Sequence, residues 1–215
     1  MDLYIDTANI DEIRQAHDMG VLDGVTTNPS LIAKEGVDYR RRLEEICEVV
    51  KGPVSAEVIS TEYAGMLEEG RRHATIAENI VVKLPTTHDG VKACKTLSEE
   101  GTRVNMTLCF QPLQALLVAK AGAFLVSPFI GRLDDIGEDG MDVIVKIRQV
   151  YDTYGYETKV LAASIRHTNH LLQCALVGAD VATVPFDVIK GMLKHPLTDI
   201  GLEKFVADYK KAFGQ

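Results

Sequence analysis

A lysine in the middle of an apolar run is the first residue that demands a reason. Lys83 interrupts Asn79-Ile80-Val81-Val82-Lys83-Leu84-Pro85. Desolvating an ammonium costs several kcal/mol, so a lysine here either snorkels its stem toward water or is kept for its chemistry. Burial favours the neutral amine, and a neutral amine attacks carbonyls to form a Schiff base. Other polar side chains interrupt similar runs near their ends. Asp6 closes Leu3–Asp6, Asn28 closes Val25–Asn28, and Glu57 lies near the end of Val54–Val58. Asn105 and Thr107 share one face of Val104–Cys109, being two residues apart. Ser127 and Phe129 share a face at the end of Phe124–Phe129, and Arg132 follows. Ser164 closes Val160–Ser164, with Arg166 just beyond.

Two carboxylates alone have other uses. Asp6 and Glu57 fit a glycosidase-like pair, or two ligands of a metal ion. A hydrolytic pair explains neither the strand lysine nor the arginines. A metal site is expected to recruit histidine, and none of His17, His73, His88, His167, His170 and His195 falls on an expected strand end. His167 and His170 form an HxxH spacing early in a helix and read as surface or helix-cap residues. The acidic stretch Asp134–Gly140 lacks a full calcium-loop pattern and reads as a solvated turn and helix start. No metal is therefore expected. Arg132, Ser164 and Arg166 read as an anion clamp, since guanidinium groups bind phosphate bidentately and a helix N-terminus adds N–H donors. Neither GxGxxG nor GxxxxGK[ST] occurs, so no nucleotide cofactor is expected.

The elements that must position these groups alternate along the whole chain. The seven apolar runs above and an eighth, Val181–Val184, are strand-length, and several are apolar on both faces, as parallel strands under helices are. Helix-period segments lie between them. Asn9 followed by Glu12 has a capping-box spacing. Arg40–Val50 turns Leu43, Ile46, Cys47 and Val50 inward, with Arg40–Glu44 and Arg41–Glu45 as i,i+4 pairs. The Arg40-Arg41-Arg42 triplet reads as a solvated helix face rather than an anion patch. Thr61–Ala77 aligns Tyr63, Met66, Leu67, Gly70 and Ala74 on one stripe. Strict βα alternation requires right-handed crossovers between parallel strands. Eight such units in about 200 residues is the size of a (β/α)8 TIM barrel, whose functional groups gather at the C-terminal ends of the strands. An open doubly wound sheet is the structural rival, disfavoured by the count. No linker divides the chain, so residues 1–215 read as a single domain. The stripe Leu202, Phe205, Val206, Tyr209 and Phe213 predicts an extra C-terminal helix that closes the barrel bottom or packs on another subunit.

Composition narrows the partners. The chain has 215 residues, 46% hydrophobic and 25% charged, with a formal charge of −8. That is ordinary for a globular protein. The acidic balance lacks the positive field that nucleic acid or an anionic membrane attracts, so neither is expected as a partner. No apolar stretch approaches the ~20 residues of a membrane span, and Met1–Asp6 has no basic and apolar leader, so a cytoplasmic address is expected. Cys47, Cys94, Cys109 and Cys174 show no CxxC spacing and read as buried free thiols.

Taken together, Leu3-Tyr4-Ile5-Asp6-Thr7-Ala8, Gly24-Val25-Thr26-Thr27-Asn28-Pro29-Ser30, Val82-Lys83-Leu84-Pro85 and Ser127-Pro128-Phe129 with Gly131-Arg132 resemble the transaldolases. The likeness runs over essentially the whole chain and is nearest to the short, single-domain subfamily that also contains fructose-6-phosphate aldolases. It implies a (β/α)8 barrel performing class I aldolase chemistry without metal or cofactor. Lys83 matches the Schiff-base lysine and Asp6 the acid/base. Glu57 and Thr107 match the pair holding a proton-relaying water. Asn28 and Asn105 match binders of the dihydroxyacetone hydroxyls, Ser127 and Phe129 the pocket wall, and Arg132, Ser164 and Arg166 the phosphate site. In the aldolase branch, positions comparable to Glu57 and Phe129 typically read Gln and Tyr; this chain carries the transaldolase pattern. The resemblance therefore implies transfer of dihydroxyacetone between sugar phosphates, with the lyase as the alternative. It also implies a homo-oligomer, a pentamer or decamer. A non-catalytic sugar-phosphate-binding barrel would keep the arginines but has no need of Lys83.

Overall fold

A computed structural model describes residues 1–214. Its strands are β1 (Asp2–Asp6), β2 (Gly24–Thr26), β3 (Val54–Glu57), β4 (Ile80–Pro85), β5 (Val104–Cys109), β6 (Leu125–Pro128), β7 (Lys159–Ala162) and β8 (Val181–Val184). Each pairs in parallel with the next, and β8 returns to β1 to close the barrel. The open-sheet alternative is thereby removed. The helices are α1 (Ile10–Asp18), α2 (Pro29–Lys34), α3 (Tyr39–Val49), α4 (Tyr63–Ala74), α5 (His88–Glu99), α6 (Pro112–Lys120), α7 (Ile130–Asp134), α8 (Gly140–Tyr154), α9 (Thr168–Leu176), α10 (Phe186–Met192) and α11 (Pro196–Phe213). Two helices instead of one follow β2, β6 and β8; α11 is the extra C-terminal helix.

The two faces of the strands do different work. Ile5, Val25, Val82, Leu84, Val126, Val160 and Ala182 belong to the large cluster between strands and helices. Tyr4, Val81, Leu125, Leu161 and Val181 form a separate apolar cluster inside the barrel. A strand returns to the same face every second residue. The next inward positions are therefore Asp6, Lys83, Ser127, Ala163 and Thr183, so an apolar floor lies beneath a mainly polar layer. Gly24 is part of this design: a Cβ there would come within 2.7 Å of two ring carbons of Tyr4.

Local differences from the sequence reading have local causes. Asn9 caps α1 through Asp11 N–H and Glu12 N–H. The capping box is not completed, because Glu12 accepts from the Thr7 hydroxyl at 2.7 Å and Asn9 N–H turns to that same hydroxyl at 3.1 Å. β2 stops at Thr26 because Asn28 leaves the ladder to cap α2, its Oδ1 accepting from Leu31 N–H at 2.9 Å. Ser164 lies two residues beyond β7, with φ of +58°. Arg40 and Arg41 make the expected pairs with Glu44 and Glu45 at 2.8 and 3.3 Å. Arg42 does not share their solvated face. It is 6% exposed, donates to the Ala8 carbonyl at 3.0 Å and lies 3.3 Å from Glu45.

All four cysteines are buried and free. Burial pushes the thiols of Cys47 and Cys94 up to about 11, and those of Cys109 and Cys174 up to about 12. No helix among the described residues is long and apolar enough to cross a membrane. α11 buries none of its residues. Its Leu197, Phe205 and Phe213 are exposed, Phe205 at 71%, so it does not cover the barrel bottom.

Arg42→Met removes a buried cation from between Glu45 on its own helix and Glu35 at the end of α2, 3.8 Å away. A loss of about 2 kcal/mol in urea unfolding is expected, whereas Arg40→Met, which breaks an exposed pair, should cost under about 0.5 kcal/mol.

Candidate active site

Strand register brings the central group together. Glu57 on β3 is level with Lys83 on β4, and Lys83 is level with Asn105 on β5. Lys83 is 5% exposed. Its Nζ is 3.0 Å from Glu57 Oε2 and donates to the Thr27 carbonyl at 3.0 Å. With Val81 and the apolar floor below, the amine meets polar partners only sideways and toward the mouth. The Glu57 backbone is held in turn: its carbonyl accepts from the Tyr39 hydroxyl at 2.7 Å. Burial, reinforced by the Glu57 carboxylate, pushes that phenol well above the usual tyrosine range.

Two hydrogen-bonded chains flank the pair. Thr26 donates to Asp6 Oδ1 at 2.8 Å, and its oxygen lies 2.7 Å from the Thr183 hydroxyl. A hydroxyl has one proton, so Thr183 must donate to Thr26 while Thr26 donates to Asp6. On the other side, Ser127 donates to Asn105 Oδ1 at 2.7 Å and Asn105 Nδ2 donates to Ser55 at 3.1 Å. Each end of the buried Asn105 amide makes one of its two possible bonds among the described residues. Thr107 lies one inward step above Asn105, beside a register shift between Met106 and Cys109 where Leu108 takes φ of +57°. Its buried hydroxyl has no hydrogen-bond partner among the described residues. Such an orphan calls for a water or a ligand, because an unmade buried hydrogen bond costs about 1–3 kcal/mol.

The cations stand at the rim. Arg132 lies on α7 with its guanidinium 4.8 Å from the centre of the Phe129 ring. Arg166 follows β7 and pairs with Asp135 at 2.7 Å. The two loops are joined through backbone: Ile130 N–H to the Ala163 carbonyl and Gly131 N–H to the Ser164 carbonyl, each at 3.0 Å. A Cβ on Gly131 would collide with that Ser164 oxygen. The acidic stretch that follows is the expected exposed turn leading into α8, and two of its carboxylates make contacts. Asp135 holds Arg166, and Asp134 lies 3.0 Å from Nε2 of His170. His170, by contrast, is no surface residue, being 8% exposed, while His167 does cap α9.

A cavity of about 390 Å³ opens at this end of the barrel. Asp6, Asn28, Lys83, Ser127, Phe129, Arg132, Ser164 and Arg166 all line it. Of the remaining expected site residues, Glu57 reaches it through Lys83 and Asn105 through Ser127, while Thr107 is buried just behind. Thr26, Lys34 and Thr183 also line the cavity and were not singled out from sequence. The inward period from Asp6 and Lys83 could have found the threonines; Lys34, at the end of a short helix, carried no signal. A larger groove of about 750 Å³ between α5 and α6 contains none of the expected site residues. Among the described residues no three His, Cys, Asp or Glu side chains converge as a metal site requires.

Fold and mouth define a (β/α)8 barrel built around a buried lysine–carboxylate pair. The family profile described as Transaldolase/Fructose-6-phosphate aldolase matches residues 3–215, and the chain belongs to this family. It is 57% identical over 211 residues to a Petrotoga mobilis protein named "Probable transaldolase", covering 98% of this chain and 96% of that one. A Rhizobium meliloti "Probable transaldolase" is 58% identical over 98% of this chain and 97% of its own. A Bacillus cereus "Probable transaldolase 1" is 58% identical over 98% of each.

Gly131→Ala would drive the two arginine-bearing loops apart. It is expected to cost about 1–3 kcal/mol of stability and to reduce the thermal stabilisation given by inorganic phosphate, measured as the shift in melting temperature on adding phosphate.

Proposed function

We propose that this protein is a transaldolase, a transferase that moves a dihydroxyacetone unit between sugar phosphates through a Schiff base on Lys83. Sedoheptulose 7-phosphate and glyceraldehyde 3-phosphate would give erythrose 4-phosphate and fructose 6-phosphate. The observation that carries this reading is the buried Lys83 amine, 3.0 Å from Glu57, in the same mouth as Asp6.

The amine adds to the C2 carbonyl of the ketose, and loss of water from the carbinolamine leaves an iminium. Glu57 is near enough to take the proton that Lys83 sheds and to return it to the departing hydroxyl. The unpaired hydroxyl of Thr107 supports a water in that relay. Asp6 takes the proton of the C4 hydroxyl as the C3–C4 bond breaks; the electron pair moves into the iminium and leaves an enamine. The Thr26 bond orients the Asp6 carboxylate. An acceptor aldehyde then meets the enamine, Asp6 gives the proton back, and hydrolysis of the new iminium frees Lys83. Asn28 and Asn105 bind hydroxyls of the three-carbon unit, and Ser127 and Phe129 form the wall. Arg132, Ser164 and Arg166 take the phosphate, which anchors successive sugars with their reactive carbons at the same depth.

Glu57 and Phe129 favour the transferase over the lyase. Phe129 supplies a ring and no hydroxyl, so it offers no donor that would help water compete with the acceptor for the enamine. The exposed apolar residues of α11 support association into a homo-oligomer, a pentamer or decamer by the family likeness; the acidic charge supports an enzyme without nucleic-acid or membrane partners, and a cytoplasmic address is part of the same proposal.

Borohydride reduction with fructose 6-phosphate should add a three-carbon unit to the peptide containing Lys83; binding without added mass would indicate a non-catalytic sugar-phosphate barrel. Lys83→Ala should abolish both the adduct and turnover, and Asp6→Ala should lower kcat by about 10²–10⁴-fold while leaving the adduct detectable. Turnover of fructose 6-phosphate should need erythrose 4-phosphate or another acceptor aldose. Free dihydroxyacetone released at a comparable rate without acceptor would identify the lyase instead.

A further inference from the structure

The arginines of the mouth ride on different loops. Arg132 is on α7 after β6, and Arg166 follows β7. A phosphate gripped by both needs a constant spacing between those loops. His170, on α9, sits where they meet and belongs to neither. Its Nε2 is 3.0 Å from Asp134 Oδ2, at the end of α7. Its Nδ1 accepts from the backbone N–H of Arg166 at 3.4 Å. The other oxygen of Asp134 accepts from Gly140 N–H at 3.0 Å, which fixes the carboxylate to the start of α8. The imidazole is 8% exposed and packs on the His167 ring, with centroids 3.8 Å apart.

The two contacts specify one tautomer. An Nδ1 that accepts has no proton, so Nε2 carries it and donates to Asp134. Burial, with His167 alongside, holds the imidazole below its ordinary value and favours this neutral form. We propose that His170 is a positioning residue for phosphate binding: it ties the Arg166 backbone to the end of α7 and so sets the distance between the two guanidinium groups. This rests on reading the mouth as a sugar-phosphate site. His170 touches neither Lys83, Glu57 nor Asp6, so its effect is on holding the phosphate and not on the carbon chemistry.

His170→Phe keeps a planar ring and deletes both polar contacts. It is expected to raise the inhibition constant of inorganic phosphate and the KM of erythrose 4-phosphate about tenfold, which is the scale of one or two hydrogen bonds. The kcat with D-glyceraldehyde, an acceptor without phosphate, should stay within about twofold of wild type. His170→Asn, which retains an acceptor for Arg166 N–H, should recover most of the phosphate affinity; His170→Gln, which retains only a donor for Asp134, should not. If His170→Phe does not fold, the Asn and Gln pair carries the comparison. An unchanged phosphate inhibition constant, an equal loss with both acceptors, or Gln performing as well as Asn overturns the inference. Borohydride trapping on wild-type Lys83 reports separately on the underlying function: trapping intact with any of those results removes the role of His170 alone.

Discussion

The contact between Lys83 and Glu57 governs the rest of the mouth. Two opposite charges taken from water recover their hydration only through good geometry and further hydrogen bonds. Here the geometry is strand register: adjacent strands put the two side chains at one height, 3.0 Å apart, with the Thr27 carbonyl as a second acceptor for the amine. An apolar pair of similar volume would serve stability as well or better. A buried pair of this kind is therefore weak support for the fold, and the proposed function gives it a reason: it keeps an amine and a carboxylate within 3.0 Å of each other.

The layers of the barrel explain how one pair becomes a site. Tyr4, Val81, Leu125, Leu161 and Val181 close the barrel below, so the Lys83 amine is reached only from the strand ends. One inward step higher, polar side chains stand in bonded chains: Thr183 to Thr26 to Asp6 on one side, Ser127 to Asn105 to Ser55 on the other. Each chain fixes the direction of its protons, which prepares a carboxylate and an amide before any ligand arrives. The rim is built outside the strand ladder. Arg132 stands on α7 and Arg166 on the loop after β7; backbone bonds join the two segments, and Asp135 pairs with Arg166.

Alternation of strand and helix made the barrel legible, because each strand had to hide two faces and each helix one. Lys83, Asp6 and Glu57 were legible for the converse reason: a charged group in an apolar strand has a cost that needs an explanation. His170 and Arg42 were misread. A histidine or arginine between polar neighbours in a helix looks like surface, and nothing in the spacing shows that another loop will cover it. Thr26 and Thr183 were passed over because a threonine in a strand is commonplace, and their bond joins positions 157 residues apart.

The chain by itself determined which elements form, which strand faces turn inward, and which residues are too polar for where they stand, since period and burial cost are local properties. Tertiary structure alone decided the partners: that Glu57 meets Lys83, that Thr183 donates through Thr26 to Asp6, and that His170 bridges two loops. Those contacts depend on barrel closure and register, which bring distant residues within about 3 Å of each other. Hydrogen bonds weaken sharply beyond that range, and no spacing along the sequence encodes it.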